Sequence, residues 1–166
     1  MECDLETMTS TEKIGQISSE KANMTWKIND FFSYTKGNSR FLSPEFHALN
    51  SVWQIAIRPN GLANDNSTGH VALYLHRIDN GTSKLVDFEF GIKTTNYLIV
   101  NKMKTKTAWN CSDKGWGFSK FITVSELLHK KNLLPSGNLT LTCTLTEKGG
   151  EDFDVETSKY DVNIYL

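Results

Sequence analysis

The segment at residues 113–122 has the sequence Asp-Lys-Gly-Trp-Gly-Phe-Ser-Lys-Phe-Ile, which places two large aromatic side chains among residues too small to cover them. Gly117 separates Trp116 from Phe118, and Gly115 precedes them. Glycine has no side chain and tolerates positive φ, so another backbone can approach closely and neighbouring rings can stay open to a ligand. The segment therefore predicts either a strand end that lines a recognition groove or a strand whose rings fill the core.

Polar groups around the two rings favour the groove. Lys114, Ser119 and Lys120 lie within the same few residues, and small binding sites combine apolar anchors with charged and hydroxyl groups. In this interpretation the Trp116 ring is an exposed anchor rather than part of the core. We therefore expect truncation of Trp116 to weaken binding more than folding.

Period-two alternation of apolar and polar residues recurs on both sides of this segment and indicates half-buried strands. The clearest runs are Trp53, Ile55 and Ile57; Val71, Leu73 and Leu75; Val86, Phe88, Phe90 and Ile92; and Leu139, Leu141, Cys143 and Leu145. The turn signal Asn80-Gly81 predicts that the second and third runs form an antiparallel hairpin. Many short strands with regularly spaced turns predict an all-β fold, a two-sheet antiparallel sandwich.

Two further stretches are predicted to be exposed. Lys102, Lys104 and Lys106 follow a short apolar run at same-face spacing. They form either a basic strip or, as we favour, the solvated face of an edge strand that lysines keep from self-pairing. Residues 1–21 contain few apolar side chains and are predicted to form a mobile tail.

One short helix is predicted after the aromatic segment. Thr123 and Glu126 form a capping box that opens it, and Leu127 and Leu128 are expected to point inward. Beyond the last alternating strand, residues 147–166 form a C-terminal extension that is either an extra strand or a linker.

Length and charge set broad limits on function. The 166 residues suit one domain, long enough to bury about two-thirds of its unfolded surface. The 18 basic and 19 acidic side chains give a net charge of -1, so the composition of the whole chain indicates neither nucleic acid nor membrane as a partner. No secretory signal pattern begins the sequence, and no run approaches the ~18 apolar residues of a membrane helix.

These features predict a cytoplasmic or nuclear protein. Asn-x-Ser/Thr sequons would suit a secreted protein instead, and we interpret them as a by-product of a chain rich in Asn, Ser and Thr. They begin at Asn23, Asn66, Asn80, Asn110 and Asn138.

Cysteine, histidine and glycine patterns give no indication of catalysis. Cys3, Cys111 and Cys143 are an odd count without metal-type spacing, which argues against a disulfide framework and a zinc site. The four histidines are scattered, and a thiol protease dyad built on Cys111 has no supporting local motif. No P-loop or GxGxxG sequence occurs. We therefore predict no enzyme, no cofactor and no metal site, but a binding module.

Several longer motifs occur in order along the chain. They are Met-Thr-Trp-Lys-Ile-Asn-Asp-Phe at 24–31, Ser-Pro-Glu-Phe at 43–46, Trp-Gln-Ile-Ala-Ile-Arg-Pro-Asn-Gly at 53–61, Lys-x-Trp-Gly-Phe-x-Lys-Phe-Ile at 114–122 and Leu-Leu-Pro at 133–135. Together they resemble the MATH domain, also called the TRAF-like domain, and in particular that of the speckle-type POZ proteins. The resemblance covers residues 22–146 and implies an eight-stranded TRAF-like β-sandwich.

The resemblance also implies a function. In speckle-type POZ proteins the MATH domain holds a short, extended Ser/Thr-rich client segment, while a separate BTB domain recruits a cullin scaffold for ubiquitination. The implied partners are thus client peptides and a BTB-containing or cullin ligase protein. By residue match, the peptide-binding set would be Tyr74, Phe88, Trp109, Lys114, Gly115, Trp116, Gly117, Phe118 and Ser119. Strand parity makes Tyr74 an exposed ring but places Phe88 with the core residues.

Gly115 and Ser119 depart from the family pattern, which has an acidic residue immediately before the Trp and a lysine immediately after the Phe. The charged groups that would hydrogen-bond to client hydroxyls are then partly missing. We therefore expect the apolar position of the peptide to dominate recognition and the Ser/Thr positions to tolerate alanine. Gly115→Asp combined with Ser119→Lys is expected to restore the preference for hydroxyl groups.

Two other assignments were weighed. A TRAF-type oligomeric scaffold that binds receptor tails would need a coiled coil, and residues 1–21 show no apolar heptads. An extracellular MATH module, as in meprin proteases, is disfavoured by the missing signal peptide. We accordingly expect the chain to be a monomer at micromolar concentration.

Overall fold

The computed structural model of the chain describes residues 3–14, 17–109, 115–130 and 132–147. The strands are β1 (Cys3–Ile14), β2 (Ile17–Ile28), β3 (Phe41–Leu42), β4 (Phe46–Ala48), β5 (Ser51–Arg58), β6 (His70–Arg77), β7 (Lys84–Lys93), β8 (Ile99–Trp109), β9 (Trp116–Thr123) and β10 (Leu139–Glu147). One α-helix, α1 (Val124–His129), and two 3-10 helices, Phe31–Tyr34 and Pro135–Gly137, complete the secondary structure of the described residues. Except for Glu147, the predicted C-terminal extension lies outside them.

The strands form two antiparallel sheets. The first has the strand order β1-β2-β10-β7-β8, and the second has the order β3-β5-β6-β9, with β4 paired to β5. This confirms the predicted two-sheet sandwich with one short helix. The resemblance implied eight strands, whereas the described ranges contain ten.

A single large core fills the space between the sheets, because successive side chains of a strand point to opposite faces. In β10, Leu139, Leu141, Cys143 and Leu145 are buried, and the threonines between them are half-buried on the outer face. Trp53 is fully buried, and its indole Nε1 donates a hydrogen bond of 2.8 Å to the Ala48 carbonyl oxygen. The alternation seen in the sequence is thus realised in the packing.

The hairpin predicted around Asn80-Gly81 is wrong. Strand β6 pairs with β5 and β9, whereas β7 pairs with β10 and β8, so this connection crosses from one sheet to the other. The buried Arg77 side chain holds the crossover, since it donates to the Asp79 carboxylate at 2.9 Å and to the Thr82 carbonyl oxygen at 2.7 Å. Alternation identifies a strand but not the sheet that the strand joins.

The N-terminal region also differs from its prediction. The backbone of residues 3–14 forms β1, which pairs with β2 from Cys3 opposite Ile28 to Ile14 opposite Ile17. A mobile tail was expected over residues 1–21 because apolar side chains are few. An edge strand needs fewer of them, since backbone hydrogen bonds to β2 supply its pairing and β-branched threonines suit extended backbone.

The predicted edge strand and the predicted helix are both confirmed, but the inward position predicted for Leu128 is wrong. Strand β8 lies at the end of the first sheet, and Lys102 on it is exposed, whereas the side chains of Lys104 and Lys106 lie outside the description. Helix α1 begins after Thr123, whose side chain accepts a hydrogen bond of 3.0 Å from the Glu126 amide. Leu127 is buried, but Leu128 is 42% exposed. A helix this short offers only a narrow stripe to the core, which one leucine occupies.

Candidate functional site

Strand β9 forms one edge of the second sheet, with β6 as its partner. Trp116 at its start lies opposite Leu75, and Gly117 lies opposite Tyr74. The strand alternates poorly, because the register shifts between Val71 and Leu73 of β6. Such a bulge turns neighbouring side chains to the same face and re-aims others.

Other residues of the chain occupy the space beside Gly115 and Gly117. A Cβ added at Gly117 would lie 1.9 Å from the Leu73 carbonyl oxygen and 2.6 Å from Tyr74 Cα, both in the backbone of β6. A Cβ at Gly115 would lie 2.8 Å from Cε1 of the His76 imidazole. The close approach expected at these glycines therefore does occur, but the groups that approach are strand β6 and His76. His76 was not identified from the sequence, since only the pairing of β6 with β9 reveals its position.

Three of the predicted groove rings form a buried aromatic layer. Phe88 and Trp109 are fully buried, and Phe118 is 4% exposed. The ring centroid of Phe88 lies 6.1 Å from that of Trp109 and 6.1 Å from that of Phe118. Trp53 joins them through an edge contact with Trp109 at 5.2 Å. For Phe88 the burial agrees with its strand parity.

Tyr74 is only 2% exposed, contrary to the expectation of an exposed ring. It does lie on the face of β6 opposite to the core residues Leu73 and Leu75, so its parity was predicted correctly. There it packs with Ala56 and Ala72 in a small cluster separate from the main core. Its small neighbours allow the ring to pack against the sheet rather than project from it.

Trp116 is the half-buried aromatic of the predicted set, and it packs against the main core. Its indole Nε1 is buried and has no hydrogen-bond partner in the part of the chain that the structure describes. The fully buried Trp26 and Trp109 also have an indole Nε1 without a hydrogen-bond partner among the described residues, so this feature does not set Trp116 apart. Trp116 differs from them in that its ring is only half-buried.

The polar residues of the aromatic segment differ in their exposure. Ser119 is 5% exposed, so it belongs to the protein interior rather than to an open surface. Lys120, beside it, is exposed. Lys114 and the neighbouring Asp113 lie outside the described residues. The structure therefore brings Trp116 and Lys120 to the surface of β9, whereas Tyr74, Phe88, Trp109, Phe118 and Ser119 are buried.

A side chain from the other sheet limits the free edge of β9. The Asn101 amide Nδ2 donates a hydrogen bond of 2.9 Å to the Phe121 carbonyl oxygen. Asn101 has a positive φ of 51°, and the pairing of β7 with β8 shifts register nearby. Between Trp116, which is half-buried, and Lys120, which is exposed, the residues Gly117, Phe118 and Ser119 are buried. The sequence offers no signal for this contact, because it depends on the two sheet edges lying side by side.

Neither a cluster of metal-ligand side chains nor a membrane-spanning helix occurs among the described residues. No group of three or more His, Cys, Asp or Glu side chains comes together there. Within the same residues, no helix is long and apolar enough to cross a membrane. Burial raises the pKa of the Cys143 thiol far above its ordinary value, so this thiol is unreactive and serves to pack the core.

Comparison with known proteins places these features in context. Residues 23–145 match the family model described as the MATH domain. The chain is 27% identical over 123 residues to a TNF receptor-associated factor family protein of Dictyostelium discoideum, covering 74% of this chain and 26% of the relative. It is 30% identical over 144 residues to TD and POZ domain-containing protein 2 of Mus musculus, covering 81% of this chain and 38% of the relative. The chain thus spans well under half the length of these relatives.

Proposed function

The chain belongs to the MATH domain family of protein-interaction domains, and we propose that it binds short Ser/Thr-containing segments of client proteins along the free edge of β9. The observation that carries this proposal is that β9 is an edge strand with a half-buried Trp at its start. Edge strands present unpaired N–H and C=O groups, which an extended peptide can pair with as an added strand. Side-chain pockets beside the strand then supply specificity.

In this proposal Trp116 provides the apolar anchor. A hydrophobic client side chain packs on the accessible part of its ring, and the main core, against which the ring packs, holds it in place. The peptide pairs with β9 from Trp116 to Lys120, since the Asn101 contact closes the edge at Phe121.

We still expect weak selectivity for client hydroxyl groups. The two substitutions predicted to restore that selectivity, however, do not fit the structure. Ser119 is buried, so Ser119→Lys would place a charge in the interior and destabilise the fold. Gly115→Asp would collide with the His76 imidazole unless that ring moved. We therefore propose that the polar contacts of a client come from backbone pairing and from Lys120, and that the apolar position dominates recognition.

We further propose that this recognition serves a cullin-type ubiquitin ligase, either as its substrate-recognition part or as a competitor for its clients. One relative carries a POZ domain in its name, and speckle-type POZ proteins couple MATH to BTB domains in this way. A BTB-containing or cullin ligase partner, a cytoplasmic or nuclear location and the absence of catalysis belong to the same proposal. The alternative is a TRAF-type oligomeric scaffold that binds receptor tails, which the name of the other relative favours.

Trp116→Ala tests the anchor. We expect it to weaken a fluorescein-labelled peptide of the pattern apolar-polar-Ser-Ser/Thr-Ser/Thr by about 2 kcal/mol or more, while thermal unfolding stays cooperative. Fluorescence anisotropy measures the affinity and circular dichroism measures the unfolding. Phe32→Ala is the matched control, because Phe32 is an exposed aromatic, at 37%, in the Phe31–Tyr34 helix.

The unfolding measurement distinguishes a binding role of the Trp116 ring from a role in the core. If Trp116→Ala costs ~3 to 5 kcal/mol of folding stability, as removal of a core Trp does, the groove interpretation is wrong. Alanine substitution in the peptide tests selectivity: the apolar position should lose most of the affinity. A loss of more than about tenfold at each Ser/Thr position would show that hydroxyl contacts are made after all.

A further inference from the structure

The connection between β7 and β8 exposes three consecutive apolar side chains. Tyr97 is 79% exposed, Leu98 63% and Ile99 42%. They occupy the tip of a hairpin, and loops that join consecutive strands lie at the ends of a sandwich. We call this group, residues 97–99, the apolar tip. Scattered surface hydrophobic residues are ordinary, but a contiguous exposed set marks an interaction site.

The backbone of the apolar tip is held rigidly. The Thr94 amide donates to the Leu98 carbonyl oxygen at 2.8 Å, and the Tyr97 amide donates to the Thr94 carbonyl oxygen at 3.0 Å. The Leu98 amide donates to the Thr94 hydroxyl oxygen at 3.2 Å. The tip is therefore presented in one shape, and little conformational entropy is lost when it binds.

Tyr97 adopts an unfavourable backbone conformation in order to be presented. Its φ is +61°, in the left-handed region that favours Gly and Asn and in which a bulky residue is an outlier. A Gly or Asn would close this loop with less strain. An exposed aromatic ring at such a position does not serve folding, and strain of this kind concentrates at functional sites.

The charged side chains nearest to the apolar tip in the sequence are both lysines. Lys93 Nζ lies 5.3 Å from the centre of the Tyr97 ring, and Lys102 is exposed on the neighbouring strand. From Gly91 to Met103 the sequence contains these two lysines and no carboxylate, whereas the whole chain has a net charge of -1. The local charge thus differs in sign from that of the molecule, and it complements an anionic partner.

We propose that the apolar tip docks onto an anionic lipid bilayer surface, with Leu98 and the outer part of Tyr97 inserted and with Lys93 and Lys102 at the headgroups. Three side chains on a convex hairpin are too small for the roughly 800 Å² that each partner contributes to a stable protein interface. A bilayer needs no matching cavity, and it accepts tyrosine at the headgroup level and lysines beside anionic lipids. This inference is independent of peptide binding at β9.

Vesicle co-sedimentation of the full 166-residue chain tests the proposal. We expect binding to phosphatidylcholine vesicles that contain phosphatidylserine, and little binding to phosphatidylcholine alone. Leu98→Ser should weaken partitioning by roughly tenfold or more, since it removes one inserted leucine. Lys93→Gln and Lys102→Gln should each weaken it by about fivefold, and added salt should weaken it further.

Two variants separate docking from folding. Tyr97→Gly should lower vesicle binding while raising the melting temperature, because it removes the ring and relieves the left-handed strain together. A purely structural role for Tyr97 would lower both. Leu128→Ser is the matched control, because Leu128 is a leucine on α1 that is also exposed, at 42%, and its loss should leave binding unchanged.

Several results would overturn the proposal. They are a failure of the chain to sediment with anionic vesicles, equal loss in Leu98→Ser and Leu128→Ser, and unchanged binding in Tyr97→Gly. Light scattering adds a further one: concentration-dependent self-association that Leu98→Ser abolishes, without vesicle binding, would assign the apolar tip to a second copy of the chain.

Discussion

At Gly117 the backbones of β9 and β6 come so close that the space of a Cβ is taken by the Leu73 carbonyl oxygen and Tyr74 Cα. Neither atom can move without shifting strand β6, since both belong to its backbone. The glycine is therefore needed for pairing of the two strands. In the motif Gly-Trp-Gly-Phe, the second glycine thus allows β9 to pair closely with β6, and the proposed anchor ring of Trp116 lies next to it.

Gly117→Ala should reduce folding stability by about 3 kcal/mol, because the added methyl group overpacks a backbone contact. Chemical denaturation measures the change. Gly37→Ala is the control: its Cβ would meet only Ser39 Oγ at 3.9 Å, and the effect should stay within about 0.5 kcal/mol. If Gly117→Ala lost peptide binding at unchanged stability, the glycine would serve the ligand instead of the strand pair.

At the scale of elements, the crossover from β6 to β7 depends on one carboxylate. Burial by itself would raise the pKa of Asp79, but hydrogen bonds from the Arg77 side chain and from the Val52 and Gly81 amides outweigh burial and hold it well below its ordinary value. A carboxylate with a lowered folded-state pKa contributes stability above its unfolded pKa and loses it as the pH falls. The crossover that replaces the predicted hairpin is thus sensitive to acid.

Asp79→Asn should cost about 2 kcal/mol of folding stability at pH 7, since hydrogen bonds to a charged group are lost. The difference from the unmodified chain should shrink below pH ~4, where the unfolded carboxyl group takes up a proton. Urea denaturation across this pH range measures it. Asp30→Asn is the control, because Asp30 is exposed and asparagine tolerates its positive φ. A difference that stays constant with pH would exclude the ionised carboxylate as its cause.

At the scale of the whole molecule, one core lies between two sheets that the chain completes by itself. At two of the four sheet edges, those of β8 and β9, one side chain limits pairing with a second copy. Lys102 is exposed on the edge strand β8, and the Asn101 side chain occupies part of the edge of β9. The described residues thus enclose one main core between their two sheets.

We expect the 166-residue chain to be a monomer at micromolar concentration, as measured by light scattering coupled to size exclusion. The apolar tip is too small to hold a stable dimer. Dilution of the sample serves as the control, since a weak self-association would dissociate. A stable trimer would favour the scaffold alternative over a monomeric client-binding domain.

The sequence by itself determined the fold class, the Thr123 N-cap of α1, the edge position of β8 and the core parity of Phe88 and of the leucines in β10. These features depend on local periodicity, which each strand or helix carries in its own residues. Only the tertiary structure decided that β6 and β7 enter different sheets, that β1 pairs with β2, that Tyr74 and Ser119 are buried, and that His76 and Asn101 lie beside β9. Each of these depends on which strands become neighbours, and contacts between residues far apart in the chain leave no period in the sequence.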